Sequence, residues 1–259
     1  MQYQPTGRAF LLDTITIHNK EEGVFYSPDQ VVYYTTESFN TNSESARYRY
    51  RLVVVKPDGD TVTALTNMVG EEDFSIVTRS LSFQSTPSEA FGNIYFRADG
   101  IAPLYEVGIQ FNYLEQMAGH GIREKHVKRS FGTRPITEFN KIEGSENSYY
   151  LEYSVNWLFN ALANAIGSDT IIDPEHPNVA RYIDDFVITI SAAGEDLYYY
   201  YLSNQAQEGN AAGFVSVYSN IEGGYGVFSS RSTIRKVVGL SKNTLDELYS
   251  KASWGFQEQ

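Results

Sequence analysis

No cysteine occurs in the 259 residues, so disulfides, thiolate nucleophiles and Cys-based zinc sites are excluded together. Nor is there a run of about 18 apolar residues, the length a membrane-crossing helix needs. Basic residues are scarce, 20 Lys and Arg against 32 Asp and Glu, for a net charge of −12. Such a field repels phosphate backbones and argues against nucleic acid as a partner. The opening "MQYQPTGRAFLL" shows no basic segment followed by an apolar stretch. Two expectations follow: a cytosolic protein, or one whose leader has been removed.

Catalytic spacings are missing as well. "SNIEGGYGVFSSR" (219–231) holds Gly223, Gly224 and Gly226, but Val227, Phe228, Ser229 and Ser230 follow and no Lys comes before Lys236. A phosphate loop needs glycines opening a helix, and a dinucleotide fingerprint needs a βαβ frame. The run reads instead as a turn between two strands. His18, His120, His126 and His176 show no i, i+4 helical pair, although His120 and His126 can approach across a hairpin. His176 shares a proline-bounded loop with Asp173 and Glu175.

Paired carboxylates are the usual equipment of glycosidases. Asp184 and Asp185 are adjacent in a strand and are expected on opposite faces, while Glu71, Glu72 and Asp73 read as loop solvation. Asp58-Gly59-Asp60 resembles part of a calcium loop without its further acidic ligands, and no Gly-x-Ser-x-Gly occurs. No residue is therefore assigned a catalytic, cofactor-binding or metal-binding role, no cofactor is expected, and the enzyme reading is the weaker one.

What the chain does have is aromatic and strand-like. Twenty Tyr and fifteen Phe, against two Trp, favour cross-strand packing. "YRYRLVVV" (48–55), the turn Lys56–Asp60 and "TVTALT" predict a hairpin. "AFLLDTITIH" (9–18), "QVVYYTTESF" (30–39), "FSIVTRSLSF" (74–83) and "GNIYFRA" (92–98) continue the pattern. In "LYEVGIQFNYLE" (104–115), Tyr105, Val107, Ile109, Phe111 and Tyr113 alternate with Glu106, Gly108, Gln110 and Asn112. That predicts one buried and one wet face.

The expected fold class is mainly β: an N-terminal antiparallel β-sandwich (Ig-like) over 1–115, then a β-rich region over 116–259, with a single domain as the alternative. Helices are expected near 154–166, 195–206 and 241–252. The first has Ser154 as cap, a stripe of Trp157, Leu158, Ala161, Leu162 and Ala165, and Gly167 at its end. The second has an acidic start, with a strand over LYYYYL as the alternative. The third is capped near Ser241 or Asn243. Against the acidic whole, "IREKHVKRSFGTR" (122–134) gathers Arg123, Lys125, Lys128, Arg129 and Arg134 around Glu124. It reads as a solvated segment, or as a docking site for an acidic partner.

The segment 181–232 carries a resemblance. Tyr218, Ser219, Asn220, Ile221, Gly223, Gly224, Gly226 and Phe228, preceded by Tyr200, Tyr201 and "RYIDDFVITI", resemble the signature of a Bacteroidetes family of exported lipoproteins of unknown function. The resemblance implies a β-rich protein of the cell envelope (outer membrane or cell surface), without established catalytic residues. It implies a non-catalytic binding or accessory module linked to outer-membrane nutrient uptake, with a TonB-dependent outer-membrane receptor or another envelope protein as partner. Membrane association is then expected only through a lipid anchor, whose acylated Cys this sequence does not contain. The alternative is a glycan-binding or glycan-hydrolysing protein using exposed Tyr and carboxylates.

Overall fold

Strand alternation becomes two-faced sheets in the computed structural model, which describes residues 9–18, 29–41, 48–86, 89–117, 121–167, 179–209 and 218–258. These fall into two units, 1–40 and 41–259. In the first, β1 (Asp13–Ile17) and β2 (Gln30–Tyr34) form an antiparallel hairpin with Asp13 opposite Tyr34. Every β1 residue is exposed, so this alternation buries no face within the unit.

The second unit opens with β3 (Arg49–Val55) and β4 (Thr61–Asn67), the expected hairpin, closed by a Lys56 N–H to Asp60 carbonyl bond of 2.8 Å. Then follow β5 (Phe74–Ile76), β6 (Ser80–Leu81), β7 (Phe91–Ala98), β8 (Leu104–Met117), β9 (Ile122–Pro135), β10 (Asn140–Lys141) and β11 (Ser148–Ser154). After α1 (Trp157–Gly167) come β12 (Val179–Ala193), α2 (Glu195–Gly209), β13 (Arg231–Leu240) and α3 (Lys242–Ser250).

One sheet has the order β10-β11-β7-β5, the other β6-β13-β12-β8-β9; pairing is antiparallel except between β6 and β13. The fold is mainly β, with three α-helices among the described residues. Tyr105, Val107, Ile109, Phe111 and Tyr113 of β8 are all buried, as their alternation predicts. The two sheets meet through aromatic rings: Tyr105 lies 5.7 Å from Phe96 of β7 and 6.0 Å from Phe74 of β5. Leu158, Phe159, Leu162 and Ile166 of α1 and Leu248 of α3 complete the core.

The division expected at 115/116 falls inside β8, which pairs with β9 on one side and β12 on the other. The sheets draw their strands from 74–240 and not from 1–115. Alternation reveals that a strand has a buried face, but not which strand lies beside it.

Each expected helix region holds a helix. The aromatic stretch after Gly194 forms α2, with Glu195 and Asp196 in the first turn complementing the helix dipole, and not the alternative strand. The burying stripe of α1 runs through Phe159 and Ile166, while Trp157, Ala161 and Ala165 lie at its margin. Ser154 ends β11 and donates to Asn156 Oδ1 (2.5 Å), so it does not cap α1. Ser241 caps α3, accepting from the Thr244 N–H at 3.3 Å. Residues 218–230 form no ladder before β13 begins at Arg231, although strands were expected on both sides of the glycines; 213–217 lie outside the described residues.

Candidate functional site: the braced hairpin

The glycine segment is organised by side chains that imitate a backbone. Asn220 Nδ2 donates to the Phe228 carbonyl (2.7 Å), and the Phe228 N–H donates back to Asn220 Oδ1 (2.8 Å). Ser219 Oγ accepts from the N–H groups of Ile221 (3.3 Å) and Gly226 (3.2 Å). The resulting loop lies against the edge of β4. Glu222 N–H donates to the Thr63 carbonyl (2.8 Å), the Thr63 N–H to the Glu222 carbonyl (3.2 Å), and Thr63 Oγ1 to Glu222 Oε2 (2.9 Å). Gly223 has φ +78°, and a Cβ there would stand 3.4 Å from the Thr61 carbonyl oxygen. The backbone conformation, and not the space, is what favours glycine at that position.

Two further ties hold the same strand. Asp196, in the first turn of α2, accepts from Thr66 Oγ1 (2.9 Å) and from the Tyr218 hydroxyl (2.8 Å). Burial and then the bonded carboxylate push the Tyr218 phenol up to about 12. Ser230 Oγ accepts from the Val69 N–H (3.0 Å) and donates to the Asn67 carbonyl (2.8 Å). From Thr63 to Asn67, and at Val69 just beyond it, the hairpin is therefore held by 196 and 218–230.

What is held is apolar and open. Among the described strands β3 pairs with β4 alone, and Val53, Val54 and Val55 are 54, 46 and 67% exposed. Their outer strand edge carries backbone N–H and C=O groups that no described strand pairs. Tyr225, at the loop tip, is 98% exposed. A two-stranded hairpin is marginal in water by itself, so the ties to the body define its position.

The other candidates are placed elsewhere. His18 Nδ1 lies 2.9 Å from Asp29 Oδ2 in the first unit; His126 is exposed on β9, while His120, Asp173, Glu175 and His176 lie outside the described residues. No group of three or more His, Asp or Glu side chains converges as a metal site among the described residues. Asp184 and Asp185 sit at a bulge in β12: Ile183 is opposite Tyr113 and Phe186 opposite Phe111, so both aspartates oppose Asn112 alone. The strict alternation expected of them does not hold, because a bulge places two residues against one. Asn112 Nδ2 donates to Asp185 Oδ1 (2.5 Å).

Asp73 is buried and accepts from the Gly70 N–H (2.7 Å), so it is structural and not loop solvation. Asp58 Oδ1 accepts from the Asp60 N–H at 3.0 Å, as a turn residue does. The basic residues of 122–134 line β9, the edge of the five-stranded sheet. On α2, Tyr199 stands 5.8 Å from Tyr198 and 5.4 Å from Tyr218, with tilts of 37° and 48°; the three rings are not coplanar. The Tyr199 hydroxyl donates to Glu195 (2.7 Å). A concavity of about 290 Å³ is lined by Arg97, Asp99, Ser145, Glu146, Asn147 and Ser148.

Sequence reasoning marked the signature residues without their role, and it missed the openness of β3. The signal was present: three consecutive valines interrupt the alternation of Tyr50 and Leu52 with Arg49 and Arg51. No protein-family model matches the chain, and no curated protein matches it at a significant level.

Proposed function

We propose that the protein is a non-catalytic binding or accessory module of the cell envelope, linked to outer-membrane nutrient uptake, and that the β3–β4 hairpin is the face it offers its partner. One observation carries this reading. Ser219, Asn220 and Phe228, which resemble the exported-lipoprotein signature, close the loop from which Glu222 bonds Thr63 of a hairpin whose outer strand exposes Val53, Val54 and Val55. Strand addition uses such an edge: backbone groups supply affinity, and alternate side chains supply specificity. Covering three half-exposed valines also removes apolar surface from water, at roughly 25 cal/mol per Å². The envelope location and the receptor partner rest on the resemblance. A pull-down from native membranes is expected to recover a TonB-dependent outer-membrane receptor or another envelope protein. Recovery of none counts against the reading.

The second reading, a glycan-binding or glycan-hydrolysing protein, draws on Asp99 and Glu146 sharing one concavity. Incubation with a panel of bacterial and plant polysaccharides tests it: release of reducing ends that Asp99→Asn and Glu146→Gln abolish supports it. Absence of both binding and release removes it.

A further inference from the structure

The five-stranded sheet ends on β9, which pairs with β8 and with no other described strand. In a chain of net charge −12, this edge holds Arg123, Lys125, Lys128, Arg129 and Arg134 against Glu124. Arg123 and Lys128 are exposed and meet no acidic side chain among the described residues. Arg129 lies over the Phe131 ring (4.9 Å), and Arg134 donates to the Phe131 carbonyl (2.5 Å). The register distributes the charge over both faces: Arg123, Lys125 and Arg129 oppose Glu115, Tyr113 and Ile109, while Lys128 opposes Gln110. Near the far end, the Tyr201 hydroxyl of α2 donates to the Thr133 carbonyl (2.9 Å), and along Ile122–Ser130 no described strand lies beside the outer edge.

We infer that this stretch seats an extended acidic segment of a partner protein, added to the sheet as a sixth strand. The inference rests on the reading of the protein as a binding module but concerns a second face, separate from the hairpin. Charge selects the occupant. A second copy of β9 would bring together two stretches of net positive charge, and like charges facing each other across a strand pair are destabilising. A long polyanion or an anionic membrane would meet the remaining acidic surface, whereas a short strand senses the local cations within a Debye length of about 8 Å. Backbone N–H and C=O groups along an edge are completed by another polypeptide and by neither of those. Cations on an edge also block promiscuous pairing, so the same residues reject strands that lack acidic side chains.

The test uses three synthetic ten-residue peptides on the full chain: alternating Glu-Thr, alternating Lys-Thr, and alternating Glu-Pro. Proline keeps the charge but removes the donors a strand needs. Fluorescence anisotropy is expected to show binding of Glu-Thr alone, weakened about tenfold or more by Arg123→Glu with Lys128→Glu. Amide exchange over 122–130 should slow when Glu-Thr binds. Equal binding of Glu-Thr and Glu-Pro, or no binding of Glu-Thr to the parent protein, overturns the inference. The Val53→Lys/Val55→Lys protein should bind Glu-Thr as the parent does. Loss of membrane pull-down with peptide binding intact therefore concerns the hairpin, and loss of peptide binding alone concerns β9.

Discussion

Arg181 and Glu115 form an ion pair inside the core, Nη2 to Oε2 at 2.6 Å, with side chains only 1 and 3% exposed. They face each other across β12 and β8, and Arg181 Nη1 also donates to the Trp254 carbonyl (2.7 Å). The Arg181 N–H and carbonyl bond Gly255 and Gln257, so the C-terminal tail is strapped to the sheet by one residue. Removing one partner leaves a buried charge unpaired. Glu115→Ala should destabilise by about 3–5 kcal/mol, whereas Glu115→Leu with Arg181→Met should cost much less. Chemical denaturation of the three proteins checks the difference.

Gly255 tests the same strap from the backbone. It sits at φ +65°, where a Cβ would come within 2.4 Å of the Val179 carbonyl oxygen. Gly255→Ala should lower stability by more than about 1 kcal/mol, beyond the ordinary glycine-to-alanine effect. A thermal melt equal to the parent's would remove the strap from the account.

Asn220 closes the signature loop through two bonds to Phe228. Asn220→Ala leaves those backbone groups without their partner, at about 1–3 kcal/mol each where buried. Amide exchange should rise over 219–228 and spread to Thr63, whose N–H is bonded to the Glu222 carbonyl. Faster exchange confined to the loop would mean that it does not brace the hairpin.

The Tyr218 phenol, pushed up to about 12, makes a pH prediction. The folded state holds the proton more tightly than the unfolded chain, whose phenol titrates near 10. Its contribution is therefore complete below about pH 10 and is lost as pH rises through the folded value. Urea denaturation at pH 9 and pH 11 should show a larger loss for the parent than for Tyr218→Phe.

Much of the frame is legible in the sequence, because it rests on local pattern. The row Tyr105 to Tyr113 declares a buried face, and the turn Lys56–Asp60 declares a hairpin. Extending that odd-numbered row one step places Glu115 on the buried face, a signal that asks for a cation. Its identity as Arg181 depends on pairing between β8 and β12, which periodicity does not contain. The same holds for the bulge at Asp184 and Asp185 and for the parallel contact of β6 with β13. The site was legible only as a motif. Side chains in place of backbone, Asn220 on Phe228 and Ser230 on Asn67, made a strand-like sequence into a loop.

The hairpin is the centre of the account, and Val53→Lys with Val55→Lys addresses it directly. Both residues are more than half exposed, so the double variant should melt within about 1 kcal/mol of the parent. The decisive measurement is quantitative mass spectrometry of membrane pull-downs made in parallel with the two proteins. The account predicts that an envelope protein captured by the parent is depleted at least about tenfold with the variant, a loss of about 1.4 kcal/mol or more. Equal recovery by both proteins would contradict it.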